Sequence, residues 1–426
     1  MTINHVYDVI IVGSGIAGLY SAYKILQMNP KIKLLILEKN HKKWMGGRMG
    51  NEPFQGTMVV NGAGVGRKKK DELLIQLLNE LHLHYSEFPA SHNYASTIHP
   101  DCNVKKMFDL LKKTYNDEEA EMKKEKKNNN ERKTFKVFAK SVLGSTAYKH
   151  FLLCSGYTDY EEEDAHDVLY NYGFDDNYSD WIGLSISWKD LVNALYRKIG
   201  SHLFHFSSNV ENILQNDDGI FILQTKEKKQ FLCNHVILAT TIQSIQQLIP
   251  GALQKHSLYQ QIHGQPFLRL YGKFSKSSAE ILANYITGQT IVPGPLQKII
   301  PMDKKKGVYM IAYSDNNSAR ILQPYLKNTL ENREFFERLL ETSIGLPNHC
   351  LELLSIKDYY WQIGTHYYEP LHTSEYLNRK VFLKHAQHPI PGVLIVGEVV
   401  ALHQGWVEGA LESVDAVLNK KWINQL

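Results

Sequence analysis

The chain has 426 residues, of which 43% are hydrophobic and 22% are charged, the composition of an ordinary globular protein. Its 48 basic and 44 acidic residues nearly balance, which argues against nucleic acid as a partner. The longest late apolar run, residues 393–402, is about half the length of a membrane span, so we expect no transmembrane segment. The four cysteines lack C-x-x-C spacing, which argues against a disulfide framework or a metal site and favours a reducing compartment, the cytoplasm.

The first predicted elements are a strand, a glycine-rich turn and a helix. The apolar run at residues 8–12 enters the turn at Gly13, and a helical pattern follows from residue 19. In a dinucleotide site, Gly13 would allow the tight turn, Gly15 would let the backbone approach a pyrophosphate, and Gly18 would let the helix pack on the sheet. The phosphates would then lie at a helix N-terminus.

A second apolar run, residues 34–37, ends at Glu38. Its carboxylate is expected at the carboxyl end of a second strand, where it can accept hydrogen bonds from ribose hydroxyls. The two strands, the turn and this acid together predict a dinucleotide site of Rossmann type. The residues expected to contact the dinucleotide here are Gly13, Gly15, Ile16, Ala17, Gly18, Glu38 and Lys39.

The rest of the chain alternates between helical and strand patterns. Residues 104–200 look mainly helical, with a highly charged insertion at 116–133 that we expect to be an exposed or mobile loop. The acidic run at 161–164 is typical of a solvated face or a helix start. Strand patterns appear at 203–213, 219–225, 231–239, 267–274, 307–313 and 392–398, and helical patterns at 71–81, 331–340 and 406–418.

Several further motifs follow the glycine turn in a fixed order. They are Gly46-Gly47-Arg48, Asn61-Gly62-Ala63, the buried strand that ends at Ala239, and Gly397-Glu398 followed by Gly405-Trp406-Val407-Glu408-Gly409-Ala410. The series resembles the flavin-containing amine oxidoreductases, which include monoamine, polyamine and L-amino acid oxidases and are related to protoporphyrinogen oxidases and carotenoid desaturases. Residues 90–200 match none of the family's motifs.

The resemblance implies an α/β fold with a discontinuous FAD-binding Rossmann-type domain and a substrate domain of mixed sheet and helices. The FAD-binding domain would comprise residues 1–90, 200–255 and 385–426, and the substrate-binding domain residues 91–199 and 256–384. The cofactor would lie at the topological switch point of the sheet.

The resemblance also assigns further contacts with FAD. Arg48 offers a planar fork of donors that suits a pyrophosphate, and Val210 would meet the adenine, although a core valine of a strand is an equally good interpretation. The helix that starts near Trp406 would direct its N-terminal N–H groups at the flavin. The full set of implied contacts is Gly46, Gly47, Arg48, Asn61, Gly62, Ala63, Val210, Gly397, Glu398, Trp406, Val407 and Ala410. Because His366, and not a cysteine, lies where some relatives bond covalently to the flavin, FAD is expected to be non-covalent.

Three residues are candidates for catalysis. Trp406 and Tyr367 resemble the two aromatic residues that flank the substrate amine in the family, where an aromatic face attracts a cation; a core role for Tyr367 is an equally good interpretation. Arg269 stands where the family usually has a lysine near the flavin. Its broad, permanent charge suits a carboxylate better than a single water, and it leaves open an acidic or amino-acid substrate, a desaturase-like reaction or loss of oxidase activity. The alternative interpretation of Arg269 is a strand-edge residue paired with a surface acid. Lys273 is a weaker substitute for that lysine.

The implied activity is oxidation of a small amine or amino acid, by hydride transfer from its C–N bond to flavin N5 and reoxidation by O2. One alternative is a porphyrinogen or isoprenoid oxidase or a desaturase. A second alternative is a protein that binds FAD without amine oxidase activity.

Overall fold

The computed structural model describes residues 6–98, 102–124, 132–174, 180–254, 257–419 and 422. Its strands are β1 (Val6–Val12), β2 (Leu34–Leu37), β3 (Asn51–Phe54), β4 (Thr57–Val60), β5 (Gly66–Arg67), β6 (Tyr85–Ala90), β7 (His92–Tyr94), β8 (Trp181–Ile186), β9 (Phe204–His205), β10 (Val210–Gln215), β11 (Phe221–Thr225), β12 (Gln230–Leu238), β13 (Ile262–Phe274), β14 (Gln289–Ile291), β15 (Lys298–Asp303), β16 (Val308–Asp315), β17 (Leu353–Tyr368) and β18 (Val393–Ile395). Its α-helices are α1 (Ile16–Met28), α2 (Glu72–Glu80), α3 (Val104–Lys124), α4 (Phe135–Ser155), α5 (Ala165–Tyr170), α6 (Trp188–Ile199), α7 (Ile242–Leu248), α8 (Lys276–Tyr285), α9 (Asn316–Leu322), α10 (Leu330–Ile344), α11 (Arg379–Gln387) and α12 (Val407–Val417).

The first large sheet has the strand order β10-β11-β12-β1-β2-β9, with β18 beside β12. β1, β2, β9, β12 and β18 run parallel, and β10 and β11 extend the sheet in antiparallel pairs. The parallel strands β2 and β18 are buried along their whole length, which is why their sequences are continuously apolar. Because the parallel strands end at one edge, the turns after β1, β2, β12 and β18 lie side by side there.

Helices cover both faces of this sheet. One hydrophobic core lies between one face of β1 and β2 and the helices α1, α2, α6 and α12. A second core lies between the opposite face of the sheet and the helices α7 and α11. α6 lies within the residues that the sequence assigned to the substrate domain, yet it packs against α1. The division into two domains stays a prediction.

The second large sheet has the order β17-β13-β16-β15-β14-β7. β13 is flanked by β17 and β16 in antiparallel pairs, so it is an interior strand. Its pairing with β17 is irregular: Gln265 faces Thr365 but Phe267 faces Trp361, so β17 contains two extra residues at this point. α10 packs on β17, and the core between them is apolar.

A group of helices, α3, α4 and α5, lies beside the second sheet and has an aromatic core that contains Phe135, Phe151 and Tyr160. The expectation of a loop at 116–133 is wrong for residues 116–124, which continue α3. Glu, Lys, Ala and Met, which make up most of this segment, are good helix formers. Residues 125–131 of the predicted loop lie outside the described residues.

The acidic run at 161–164 was predicted as a helix start or a solvated face. Asp164 caps α5, since its Oδ1 accepts a hydrogen bond from His166 N (2.8 Å), so the helix start is confirmed. The solvated face is wrong for Glu163 and Asp164, which are buried. Asp164 is compensated there by salt bridges with Arg132 and Arg379.

The expectation of no disulfide is also wrong. A disulfide joins Cys102, just before α3, to Cys154 near the end of α4. The two cysteines are 52 positions apart, and sequence spacing alone does not reveal that packing of α3 on α4 brings them together. Within the described ranges, no helix combines the length and apolar character that crossing a membrane requires.

Candidate active site

One large cavity, of about 410 Å³, extends from the carboxyl edge of the first sheet to β13 and β17 of the second. The turns after β1, β2, β12 and β18 line one part, and the first turn of α12 and the two long antiparallel strands line the other. Most of the predicted site residues meet here: Gly13, Gly15, Ile16, Ala17, Glu38, Lys39, Gly46, Gly47, Arg48, Gly62, Ala63, Val210, Arg269, Gly397, Glu398, Trp406, Val407 and Ala410. Gly18, Asn61 and Tyr367 are not among the lining residues.

Packing explains two of the three glycines of the turn. Gly13 has φ +105°, and a β carbon there would lie 2.5 Å from the Ala239 carbonyl oxygen. A β carbon on Gly18 would lie 2.0 Å from the Gly13 carbonyl oxygen, so Gly18 serves the packing of α1 on the turn. At Gly15 a β carbon would meet no protein atom within 4 Å. The protein's own packing therefore does not require a glycine at this position.

Glu38 is held by the backbone around it. Its Oε2 accepts hydrogen bonds from Ser14 N (2.9 Å) and Ser14 Oγ (2.8 Å), and its Oε1 accepts one from Asn40 N (2.8 Å). These bonds tie the end of β2 to the glycine turn and fix the carboxylate at the wall of the cavity. Val210 lines the same part of the cavity and is 7% exposed.

Asn61 acts through its backbone. Its carbonyl oxygen accepts a hydrogen bond from Trp361 Nε1 (2.6 Å), and its N–H donates to the Gly50 carbonyl oxygen (3.0 Å). Next to it, a β carbon on Gly62 would lie 2.1 Å from the Arg48 carbonyl oxygen. The predicted loop Asn61-Gly62-Ala63 thus packs tightly on the Arg48 backbone and positions an indole on the opposite side of the cavity.

Arg48 and Glu398 connect the two ends of the chain. Arg48 Nη1 donates hydrogen bonds to Glu398 Oε1 (2.7 Å) and to the Gly364 carbonyl oxygen (2.9 Å). His366 Nδ1 also contacts Glu398 Oε1, and Gly405 N donates to its Oε2 (3.1 Å). Ile242 N donates to His366 Nε2 (3.1 Å), so the proton of this imidazole is on Nδ1 and is donated to Glu398.

These contacts set the charge of Glu398. Burial by itself would raise the pKa of this carboxyl, but the His366 ring and the Arg48 guanidinium outweigh burial and hold the pKa well below its usual range. Glu398 is therefore an anion whose two oxygens are both occupied by protein donors. The Arg48–Glu398 salt bridge, with its contacts to Gly364 and His366, joins distant segments of the site and is called the clasp below.

Trp406 is the N-cap residue of α12 and is fixed on several sides. Its Nε1 donates to Asp71 Oδ2 (2.8 Å), its ring lies edge-on to Trp188 (6.0 Å between centroids), and the Arg67 guanidinium lies 5.5 Å from its ring centroid. Glu408, the second residue of α12, accepts hydrogen bonds from Leu73 N and Leu74 N in the first turn of α2. The indole therefore has little freedom to move in the cavity wall.

Arg269 lies in the interior strand β13, which excludes the interpretation of a strand-edge residue paired with a surface acid. Its side chain is 5% exposed and lines the cavity. The guanidinium carbon is 3.4 Å from the centroid of the Tyr313 ring and 4.1 Å from that of Phe267. Nε and Nη1 are buried, and neither has a hydrogen-bond partner in the described part of the chain. Lys273, the weaker candidate, lies away from the cavity and bonds to the Lys306 carbonyl oxygen.

A buried polar cluster lies behind Tyr313. Asp315 accepts hydrogen bonds from Thr158 Oγ1 (2.6 Å) and Gln297 Nε2 (2.8 Å), and Asp159 accepts one from Tyr172 (2.6 Å). Burial raises the pKa of Asp159 to about 7, with a further contribution from the Asp315 charge. Neither acid lines the large cavity, and neither accepts a hydrogen bond from Nε or Nη1 of Arg269. 

Tyr367 lies outside the cavity, near the end of β17. It pairs with His263, and the two rings stack at 5.2 Å between centroids. The aromatic residue of β17 that does line the cavity is Trp361, together with Phe267 and Tyr313 on the neighbouring strands. None of these three was predicted from the sequence. Phe267 lies in the strand that carries Arg269, and Trp361 lies in the aromatic segment around Tyr367, but the two extra residues in β17 determine which aromatic residue of that strand reaches the cavity. Tyr313 lies in a third strand, β16, and its strand pattern alone gave no signal of a role in the site.

Comparison with known proteins agrees with this geometry. A family model for flavin-containing amine oxidoreductases matches residues 16–414. A double mutant of putrescine oxidase superimposes with a TM-score of 0.75 at 14% identity, covering 99% of both chains. Cyclohexylamine oxidase from Brevibacterium oxydans IH-35A superimposes with a TM-score of 0.71, again at 14% identity and over 99% of both chains. No curated protein matches the sequence.

The solved structures share the fold, and the predicted α/β class is confirmed. The family match covers nearly the whole chain, including the glycine turn, the clasp and the start of α12. The chain belongs to the flavin-containing amine oxidoreductases and is an FAD-dependent enzyme of the amine oxidase type.

Proposed function

We propose that this enzyme oxidises the C–N bond of a small amine held against the aromatic wall of the large cavity. When bound in this cavity, FAD would supply the hydride acceptor, its N5 atom, and O2 would be the acceptor that reoxidises it. The observation that carries the proposal is the continuity of the cavity from the glycine turn to Trp361 and Trp406. A dinucleotide site and an aromatic substrate pocket are thereby parts of one space.

The residues of the glycine turn fit FAD. Gly15 leaves open space beside the N-terminus of α1, where backbone N–H groups lack helical partners and can bind phosphate. Glu38, Lys39 and Val210 line the adenosine part of the proposed site. Only Nη1 of Arg48 has protein partners within the described residues, so its other N–H groups can reach a pyrophosphate.

The start of α12 fits the flavin ring. Val407 and Ala410 line the cavity in the first turn of this helix, whose N-terminal N–H groups carry partial positive charge. Such groups stabilise negative charge on a reduced ring. Gly409 allows this arrangement, because a β carbon there would lie 1.8 Å from the His403 carbonyl oxygen.

Trp361 and Trp406 are the proposed walls of the substrate pocket. Each indole is held through its N–H group, Trp361 by the Asn61 carbonyl oxygen and Trp406 by Asp71, so both rings are oriented before substrate binds. Their faces can attract an amine, and with Phe267 they exclude water from the reacting carbon. The two solved neighbours are named as oxidases of putrescine and cyclohexylamine, in agreement with an amine as substrate.

FAD is proposed to be non-covalent. No cysteine is among the residues that line the cavity in the described part of the chain, and both nitrogens of His366 are engaged by protein groups. Acid precipitation of the yellow protein should therefore release all of the flavin into the supernatant. Flavin that stays with the precipitated protein would contradict this assignment.

Anaerobic mixing with a panel of amines and amino acids tests the proposed reaction. We expect the visible absorbance of the oxidised flavin to bleach with at least one of them and to return with peroxide release on admission of air. A flavin that stays oxidised with every compound would overturn the proposal and favour a protein without amine oxidase activity. Bleaching without return in air would instead favour a desaturase-like reaction.

A further inference from the structure

The substrate part of the cavity contains a buried cation without a counter-ion. Arg269 is 5% exposed, and its guanidinium is held against the rings of Phe267 and Tyr313. A guanidinium keeps its proton at all physiological pH values, so it cannot escape burial by becoming neutral. Nε and Nη1 have no hydrogen-bond partner in the described ranges of the chain.

The acids that line the cavity with Arg269 do not compensate its charge. Among the described residues, the carboxylates that line the cavity are Glu38 and Glu398. Glu38 is occupied by Ser14 and Asn40, and Glu398 by Arg48 and its other donors. Stacking on aromatic faces recovers part of the lost hydration energy of a guanidinium, but a buried charge without an anion remains costly.

A cation placed in this way is complementary to an anion and repels an ammonium group. A substrate that is only a cationic amine would bring a second positive charge beside Arg269. A substrate that also carries a carboxylate would neutralise the guanidinium, and the planar carboxylate matches the planar donor. Phosphate would fit less well, because a single guanidinium offers too little charge for it.

We propose that Arg269 binds a carboxylate of the substrate, so that the enzyme acts on amino acids or other amines that carry a carboxylate. The inference rests on the proposed function, since it places the substrate against Trp361 and Trp406. It also assigns a specificity role to the position at which the sequence departs from the lysine usual in the family.

Binding of benzoate to the FAD-loaded enzyme tests the site without turnover, because benzoate has a carboxylate but no amine. We expect benzoate to perturb the visible flavin spectrum of the wild type in a saturable manner. Arg269→Met and Arg269→Gln should raise the Kd at least about tenfold, and Arg269→Lys, which keeps the charge but not the planar fork, should raise it less. Lys273→Met is the matched control on the same strand, and its Kd should be that of the wild type.

Flavin content and melting temperature establish that each variant is folded; if Arg269→Met does not fold, Arg269→Gln carries the test. Equal Kd values for the wild type and the neutral variants, or no benzoate binding by the wild type, would overturn the proposal. Steady-state assays then compare amino acids with the amines in which hydrogen replaces the carboxylate. The carboxylate site is supported if the wild type has the higher kcat/KM for the carboxylate-bearing member of each pair and Arg269→Met loses this preference. A wild type that prefers the amine without the carboxylate opposes it.

The two proposals can fail separately. Arg269-dependent benzoate binding without flavin reduction by any amine would leave the anion site in place and overturn amine oxidation. Reduction by simple amines without benzoate binding would support amine oxidation and overturn the role of Arg269.

Discussion

Arg48 and Glu398 form a salt bridge of 2.7 Å between segments that are 350 positions apart in the sequence. Arg48 follows the second strand of the dinucleotide fold, and Glu398 follows its last strand, β18. The bridge is anchored on one side by the Gly364 carbonyl oxygen and on the other by His366. Both anchors belong to β17, so this clasp joins the two large sheets around the cavity.

Glu398→Gln should weaken the clasp and change how stability depends on pH. The pKa of Glu398 is lowered in the folded protein, so its charge contributes stability above the pKa of an unfolded glutamate, about 4.3, and this contribution is lost as the pH falls below that value. We expect the variant to lose about 1–3 kcal/mol of unfolding free energy at pH 7 and to show a smaller further loss than the wild type between pH 5.5 and 3.5. Urea unfolding at a fixed excess of FAD measures both quantities.

Glu412→Gln is the matched control for this experiment. Glu412 pairs with His403 at 2.8 Å, but the two side chains are 35% and 45% exposed, respectively. Exposed pairs contribute little, so this variant should follow the wild type within about 0.5 kcal/mol. If Glu398→Gln has the pH profile of the wild type, Glu398 does not act as a buried anion.

Gly15→Ala and Gly18→Ala should separate binding from folding. The added methyl group at Gly15 enters open space, so we expect a folded apoprotein, with at most about 1 kcal/mol lost at the helix N-cap, but at least about tenfold weaker FAD binding. At Gly18 the methyl group would lie 2.0 Å from the Gly13 carbonyl oxygen, and the apoprotein itself should lose about 1–3 kcal/mol or more. Melting temperatures without FAD and fluorimetric FAD titrations distinguish the two effects. Tight FAD binding by Gly15→Ala would show that the pyrophosphate lies elsewhere.

Local patterns in the sequence predict much of the first sheet and the part of the cavity beside it. Residues that are neighbours in the sequence form the apolar runs of β1, β2 and β18 and the glycine turn from Gly13 to Gly18. If the strands are assumed to pair in parallel, these local patterns place the turns at the correct edge of the sheet. Arg269 was also recognised, because it stands where the resembling family usually has a lysine.

The opposite wall of the cavity could not be predicted in this way. Trp361 reaches the cavity, and Tyr367 does not, because β17 gains two residues relative to β13 between Trp361 and Thr365. A bulge of this kind is a property of pairing between strands that are nearly a hundred residues apart. The disulfide was missed for the same reason, since it depends on how α3 packs against α4.

Reduction of the Cys102–Cys154 disulfide should destabilise the protein. Closing a loop of this length restricts the unfolded chain, and the typical effect is about 2–4 kcal/mol. We expect dithiothreitol to lower the unfolding free energy of the wild type by this amount, and Cys102→Ser to have the same deficit without further response to the reductant. Cys350→Ser should behave as the wild type, because Cys350 is a free cysteine. Two results together would exclude the disulfide. Dithiothreitol would leave the unfolding free energy of the wild type unchanged, and mass spectrometry after alkylation would show four free thiols instead of two.

Substitution of the aromatic residues of β17 tests which of them forms the substrate wall. Trp361 lines the cavity and Tyr367 stacks on His263 outside it, so Trp361→Leu should lower kcat/KM for the best substrate about tenfold, whereas Tyr367→Leu should stay within about twofold of the wild type. The two variants make the same replacement on the same strand. Equal melting temperatures and flavin contents are required for the comparison. A tenfold loss in Tyr367→Leu, with Trp361→Leu unchanged, would restore the assignment made from the sequence and place the substrate beyond the bulge of β17.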